Sequence, residues 1–231
     1  MKSLDGAPTP DFNVYVARPD TRWIEREGEP LHRLYNEGFL PYSGNAGLND
    51  IFYSARSARV VLPELKETSE NRRISKRFDG MFERTRLDAR TFVPDEAFFN
   101  FCLSYFAEKH GADAMPRARL ETILRSGLVS DIYIYSAGGK VAAYVLEVAE
   151  GQLGHYWFSF YDLAYARQSL GLWLMYDCTR AAKERGLTHY YLGTVYGQKA
   201  LYKTNFEPLE WWDGTLWQRD IVALKALARG E

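Results

Sequence analysis

Cysteine is scarce in this chain: Cys102 and Cys178 are the only two among 231 residues. They lie far apart, each inside a helical pattern, and read as small buried hydrophobes, which excludes a disulfide framework. Histidine is scarce too, with four scattered copies and no CxxC or HxxxH pair, so no metal centre is expected. No apolar run approaches the roughly 18 residues that a membrane span needs. The opening MKSLDGAPTPDF contains no apolar signal segment. These absences lead to the expectation of a soluble, cytoplasmic protein with no membrane partner. Excess charge of one sign is also missing. A net charge of −1 argues against a protein that coats nucleic acid indiscriminately.

What is present is apolar and aromatic. The chain is 46% hydrophobic and 15% aromatic, with 16 Tyr and 6 Trp, enough for a substantial core in one large domain or two small ones. The first dozen residues read as a loose tail, followed by a helix from about Glu29 to Glu37 and a turn-rich LPYSGNAGLND. Phe52 to Leu62 reads as one strand, and Ser69 as the cap of a helix carrying Asn71 to Phe78. Charge is uneven here. From Arg72 to Arg90 there are seven basic residues against three acidic ones, a surplus suited to a phosphate backbone or to a solvated helix face.

A second unit is expected to begin near Arg86, dividing the chain into 1–85 and 86–231. Pro94-Asp95-Glu96 starts an amphipathic helix that stops at Gly111, and ARLETILRSG is a second, shorter helix. A three-strand meander follows, turning at Gly138-Gly139 and at Glu150-Gly151. Its third strand is HYWFSFYD; then come a Gln168-Ser169-Leu170-Gly171 turn, an apolar helix from Leu172 to about Arg185, and the buried strand HYYLGTV. WWDGTLWQR reads as a closing hairpin. The Gly turn sets free backbone N–H groups at a helix N-terminus, a geometry suited to a phosphate or an oxyanion. The predicted fold class is α/β (α+β): an acetyltransferase-like (GNAT) acyltransferase domain with a small N-terminal subdomain. Fold alone assigns no chemistry.

The motifs go further. HYWFSFYD, the Ser169-Leu170-Gly171 turn, YYLG and ALYKTNFEPLE together resemble the C-terminal half of the aminoacyl-tRNA–protein transferases, the arginyl-transferases and bacterial aspartate/glutamate leucyltransferases. Upstream, Gly38 to Asn45 (GF…SGN), Ser69 to Asp79 (SENRRISKRFD) and Tyr105 to Met115 (YFAEKHGADAM) match in the same order. There are departures. The family's usual cysteine cluster is missing from NDIFYSARSARVVL, and RPDTRWIER lacks the N-terminal cysteine. The stretch after YYLG, Thr194 to Leu201, also differs from the usual aromatic-Ile and Cys-x-Lys-Met pattern.

The resemblance implies an enzyme that moves an amino acid, leucine or arginine, from aminoacyl-tRNA to an amine. The acceptor implied is the N-terminus of a protein or peptide beginning with Asp or Glu. The ester is already activated, so aminoacyl-tRNA serves as co-substrate and no cofactor or metal is expected. It implies Asp162 and Tyr202 as catalytic groups. Asn71, Arg72, Arg73, Arg77, His110, Lys199 and Lys203 would bind tRNA or the acidic acceptor, and Ser169, Leu170 and Gly171 would lie near the terminal adenosine or the oxyanion. Two rivals remain open at this point. One is an acetyl-CoA-dependent N-acetyltransferase, opposed by Trp173, which stands where the (R/Q)-x-x-G-x-(G/A) pyrophosphate loop wants a small residue. The other is a non-catalytic module that binds tRNA or acidic N-termini.

Overall fold

A computed structural model of the chain describes residues 23–44 and 50–230; the expected N-terminal tail and Asn45 lie outside them. The strands are β1 (Trp23–Glu25), β2 (Phe39–Pro41), β3 (Ile51–Ser54), β4 (Ser57–Val61), β5 (Glu83–Asp88), β6 (Asp131–Ala137), β7 (Lys140–Glu150), β8 (Leu153–Tyr161), β9 (His189–Thr194), β10 (Leu209–Trp212) and β11 (Trp217–Gln218). The helices are α1 (Leu31–Asn36), α2 (Ser69–Phe78), α3 (Glu96–His110), α4 (Arg117–Arg125), α5 (Leu170–Glu184) and α6 (Ile221–Arg229). Eight strands form one sheet in the order β11-β10-β4-β9-β8-β7-β6-β5, and β1-β3-β2 form a small second sheet.

The meander is as expected, because its apolar content fits a sheet covered on both faces. In β7, Ala142 through Val148 are buried without a break. α5 packs against this sheet and is apolar nearly all round, as a helix enclosed by the fold must be. Asp95 caps α3 by accepting from the Phe98 N–H at 2.8 Å. Three local expectations need correction. Thr68, not Ser69, caps α2, taking the Asn71 N–H at 3.2 Å. The single strand expected over Phe52 to Leu62 is two strands in different sheets, broken at Ala55-Arg56. The boundary at 85/86 falls inside β5, which pairs along its length with β6.

The split into 1–85 and 86–231 fails because β4 inserts between β9 and β10. Ala58 and Val60 of that strand are fully buried in the main core. α1 and the small sheet pack onto the main sheet in a second core, where Leu34, Tyr35 and Phe52 meet Val148, Leu153 and Tyr191.

The feature that positions the site is the one parallel pair among the described strands. β8 and β9 stay in register for Leu153↔His189, Gly154↔Tyr190 and His155↔Tyr191, and then part. Each strand carries an extra residue at that point. Leu146 faces Phe158 while Glu147 faces Tyr156, leaving Trp157 as the extra residue of β8. Ala58 faces Gly193 while Arg59 faces Tyr191, leaving Leu192 as that of β9. Bulges bend a strand and increase its twist, so two together turn the strands apart. Gly193 supplies the backbone for this with φ +81°, a region disfavoured for other residues.

Candidate active site

Between the parted strands lies an open cleft of about 930 Å³. β8 contributes Tyr156, Ser159 and Tyr161, and β9 contributes Leu192 and Thr194. The start of α5 contributes Ser169, Gly171 and Leu172; the end of α3 contributes Tyr105 and His110; a 3₁₀ segment, Gln198–Asn205, contributes Lys199, Tyr202 and Lys203. Glu70 of α2 stands at the rim.

The Gly turn behaves as the sequence suggests. Ser169 takes φ +69°, an uncommon conformation for a residue with a side chain. Its carbonyl accepts the N–H groups of Leu172 and Trp173 at 3.1 Å each. The earlier amides, of Leu170 and Gly171, have no intrahelical carbonyl to bond, as in any first helical turn. Leu170 itself is fully buried and, unlike Ser169, Gly171 and Leu172, does not line the cleft, so its expected place near the oxyanion needs correction. At Gly171 a Cβ would sit 2.9 Å from the Tyr161 ring and 3.0 Å from its hydroxyl, so glycine lets Tyr161 lie against the helix start.

Tyrosines dominate the polar lining. Tyr105 and Tyr161 have ring centroids 4.9 Å apart. Tyr202 is exposed at the cleft, and the desolvation of its hydroxyl there pushes its pKa up to about 12. It therefore remains a hydrogen-bond donor at neutral pH. Tyr156 Oη is buried without a hydrogen-bond partner; burial raises its pKa strongly, and the Ser159 hydroxyl beside it pulls the other way. His110 packs on Phe106 at 4.9 Å, and burial followed by the charges of Lys109 and Lys199 lowers its pKa.

Lys203 is the unusual cation. It is half-buried, and its Nζ donates to the Thr194 carbonyl at 2.7 Å. Burial pulls the ammonium down to about 8. Lys199, one turn earlier, is exposed at the rim.

Other expected site residues stand elsewhere. Asp162 is exposed, does not line the cleft, and caps the 3₁₀ turn Leu163–Gln168 by accepting from the Ala164 N–H at 2.9 Å. A carboxylate used as a cap and turned to solvent is not placed for proton transfer within the cleft. Asn71 is fully buried in the helix interface, with neither side-chain atom hydrogen-bonded, so it presents nothing to tRNA. Arg72 pairs with Glu67 at 3.1 Å, and Arg73 with Glu70 at 2.6 Å. Arg77 reaches the Gln168 carbonyl at 3.4 Å. All three arginines are exposed on α2 beside the cleft mouth. The residues that sequence reasoning missed are Tyr105, Tyr156 and Tyr161. The first lay in the recognised YFAEKHG motif, and the two β8 tyrosines in HYWFSFYD.

Trp173 corrects the argument against CoA. Its indole points away from the cleft into a cluster with Phe78, Phe82 and Tyr135, where Nε1 donates to Asp79 at 2.8 Å. It does not obstruct the helix start. Among the described residues no group of three or more His, Cys, Asp or Glu is arranged to hold a metal ion, and no helix is long and apolar enough to cross a membrane.

Comparison with known proteins supplies the family. Residues 76–204 match the acetyltransferase (GNAT) domain model. The aspartate/glutamate leucyltransferase of Hyphomonas neptunium is 30% identical over 176 residues, covering 71% of this chain and 68% of that protein. That of Sinorhizobium medicae is 45% identical over 67 residues, so the aligned part spans about a quarter (26%) of that relative's length and 28% of this chain. Among solved structures, the C-terminal domain of a putative lysylphosphatidylglycerol synthetase from Agrobacterium fabrum has a TM-score of 0.47 at 14% identity. It covers 61% of this chain and 46% of that one, a likeness too slight to carry an argument. On the domain match and the long alignment, the chain belongs to the aspartate/glutamate leucyltransferase family and is built on a GNAT acyltransferase domain.

Proposed function

We propose that this chain is a tRNA-dependent aminoacyltransferase. It moves an amino acid from the 3′ end of a charged tRNA to the α-amine of a protein or peptide beginning with Asp or Glu. Leucine is the donated residue favoured by the names of the relatives, with arginine the second choice. The observation that carries the reading is the cleft itself. The start of a helix, a tyrosine hydroxyl and a half-buried amine all border one opening between parted strands.

The chemistry asks for little more. A neutral amine attacks the ester carbonyl, the C–N bond forms, the C–O bond to the ribose breaks, and one proton passes from nitrogen to the leaving oxygen. The ester is activated beforehand, so neither cofactor nor metal is required. Rate comes from positioning and from donors aimed at the developing oxyanion. The Gly171 amide and the Tyr202 hydroxyl are the donors we assign to it. Arg72, Arg73 and Arg77 would hold the acceptor stem along α2, and Lys199 and His110 would face the acidic acceptor. A reaction that consumes charged tRNA belongs in the cytoplasm.

The test is transfer from a fully charged tRNA pool to peptides beginning with Asp, Glu, Lys or Ala, read by mass. The expected product is leucine on the Asp and Glu peptides; arginine on them would change the donor. Binding of tRNA without product on any peptide would favour a binding module. Because Trp173 leaves the helix start open, acetyl-CoA is tested as well. We expect no thermal shift, and a saturable one at micromolar ligand would restore the acetyltransferase reading.

A further inference from the structure

Several cations of this fold that leave the surface meet a carboxylate. Arg185 is 2.8 Å from Glu147, Arg59 2.9 Å from Glu210, and Arg84 2.7 Å from Asp177. Lys203 differs. Its ammonium faces the Thr194 carbonyl, and no ion pair joins it to a carboxylate among the described residues. A buried charge without a counter-charge is costly, and the group answers by favouring its neutral form.

The surroundings hold that balance. A Cβ built on Gly193 would lie 3.5 Å from Lys203 Nζ and 3.8 Å from His155 Nε2, so amine and imidazole flank one glycine at the point where β9 leaves β8. His155 is fixed from behind by Tyr35, whose hydroxyl is 2.9 Å from Nδ1. Burial, then the charge of Lys203, takes its imidazole down to about 3. It is neutral and supplies no counter-charge. The other titratable groups around the cleft are Glu70 of α2, Tyr105 and the Glu108-Lys109-His110 end of α3, Tyr156 and Tyr161 of β8, Tyr196 after β9, and Tyr202 and Lys199 of the same 3₁₀ segment.

We infer that Lys203 is the proton carrier of the transfer. This rests on the aminoacyltransferase reading above. As a neutral amine Lys203 takes the proton released by the attacking α-amine, and as an ammonium it gives that proton to the ribose oxygen as the C–O bond breaks. The lysine ends the cycle neutral, so protons balance with no further reactant. An ammonium held near pH 8 exchanges protons close to neutrality, where general acid–base catalysis is most effective. The Thr194 carbonyl accepts one N–H in either state and so keeps the amine aimed while its charge changes.

The experiment follows transfer to Asp- and Ala-initiated peptides from pH 6 to 9.5 for wild type, Lys203→Arg and Lys203→Met. Binding of charged tRNA is measured in parallel, and Lys203 is titrated by NMR of its ε-carbon. Arginine keeps the charge but cannot give up its proton. We expect both variants to bind tRNA within about twofold, with kcat down about 100-fold or more and KM for peptide little changed. The wild-type rise in kcat toward alkaline pH should disappear in both. A Lys203→Arg enzyme with kcat within about threefold of wild type overturns the inference. So does a loss confined to KM for the Asp peptide, which would make Lys203 a counter-charge for the acceptor carboxylate, or an ε-amine that titrates above pH 10. A wild-type chain that transfers nothing overturns the functional reading and this inference together; an active wild type with an active Lys203→Arg overturns this inference alone.

Discussion

The two ends of the β8–β9 pair make opposite use of buried polar groups. At the closed end, where the strands run parallel, Glu147 is fully buried. It accepts from Arg185 at 2.8 Å and from the Tyr190 hydroxyl at 2.9 Å, with Tyr133 further out at 3.4 Å. Burial raises the Glu147 pKa against the opposing pull of Arg185. At the open end, some residues along the same strands, Lys203 has a carbonyl and the Tyr202 ring at 5.9 Å but no carboxylate, and the Tyr156 hydroxyl has no hydrogen bond. Paired groups at the closed end hold the sheet together. The unpaired groups at the open end cost stability and leave the valences that a substrate can take up. Parting the strands is what separates the two roles.

That contrast breaks most visibly at the closed end. Glu147→Ala leaves the half-buried Arg185 guanidinium with only Asp131 at 3.9 Å and the buried Tyr190 phenol without its acceptor. Removing one partner of a buried pair costs about 3 kcal/mol or more. Denaturant unfolding should show this as a lower midpoint, with tRNA binding lost only as the fold is lost. An unchanged midpoint would mean that the network is not what closes this end.

The reverse change at the open end should stabilise. Lys203→Met removes an uncompensated ammonium, and the melting temperature should rise by about 3 °C while transfer falls. The sign with pH follows from the lowered value. The folded lysine titrates at about 8 against 10.5 for the free side chain. Between those limits the unfolded chain holds the proton and the folded one does not, so wild-type stability rises with pH across that window. The burden is greatest below pH 8. The gap in melting temperature between variant and wild type should therefore narrow from pH 7 to pH 10; a constant gap would attribute the effect to packing alone.

Much of this was legible in the sequence, and what was not has a physical reason. The meander, α3, α5 and the Gly turn announce themselves through apolar period and glycine punctuation, which are local signals. The division at 85/86 failed because β4 is recruited into the sheet by long-range pairing with β9 and β10, which no local pattern records. The cleft tyrosines sat in recognised motifs, yet nothing local sets Tyr156 and Tyr161 apart from core residues, since a strand facing a cleft alternates like one facing a core. The bulges were invisible, for they depend on register between strands. Gly193, with its positive φ, was the one local trace of them.

On the outer surface the comparison predicts a smaller effect. Arg72 and Arg73 already have carboxylate partners in Glu67 and Glu70, but all four groups are at least partly exposed. Such pairs are weak and open readily to a phosphate. Arg72→Glu with Arg73→Glu should weaken tRNA binding and lower the slope of log affinity against log salt by about 2, roughly one unit for each phosphate no longer neutralised. Stability should hardly move. Equal affinity and slope in the double variant would remove α2 from the tRNA surface.

The smallest effect is expected at Asp162, and it separates position in sequence from position in space. The residue ends the motif HYWFSFYD and stands one step from Tyr161, which lines the cleft. Its carboxylate nevertheless faces solvent and holds the Ala164 N–H at 2.9 Å. Asparagine caps about as well as aspartate, because the bond needs only a side-chain oxygen. Asp162→Asn should therefore leave melting temperature and transfer rate within experimental scatter, while Asp162→Ala should cost about 1 kcal/mol in stability with the per-molecule rate retained. If Asp162→Asn instead lowers kcat by about 100-fold with the fold intact, the carboxylate charge acts on the reaction. The proton path assigned to Lys203 would then have to pass through the end of β8.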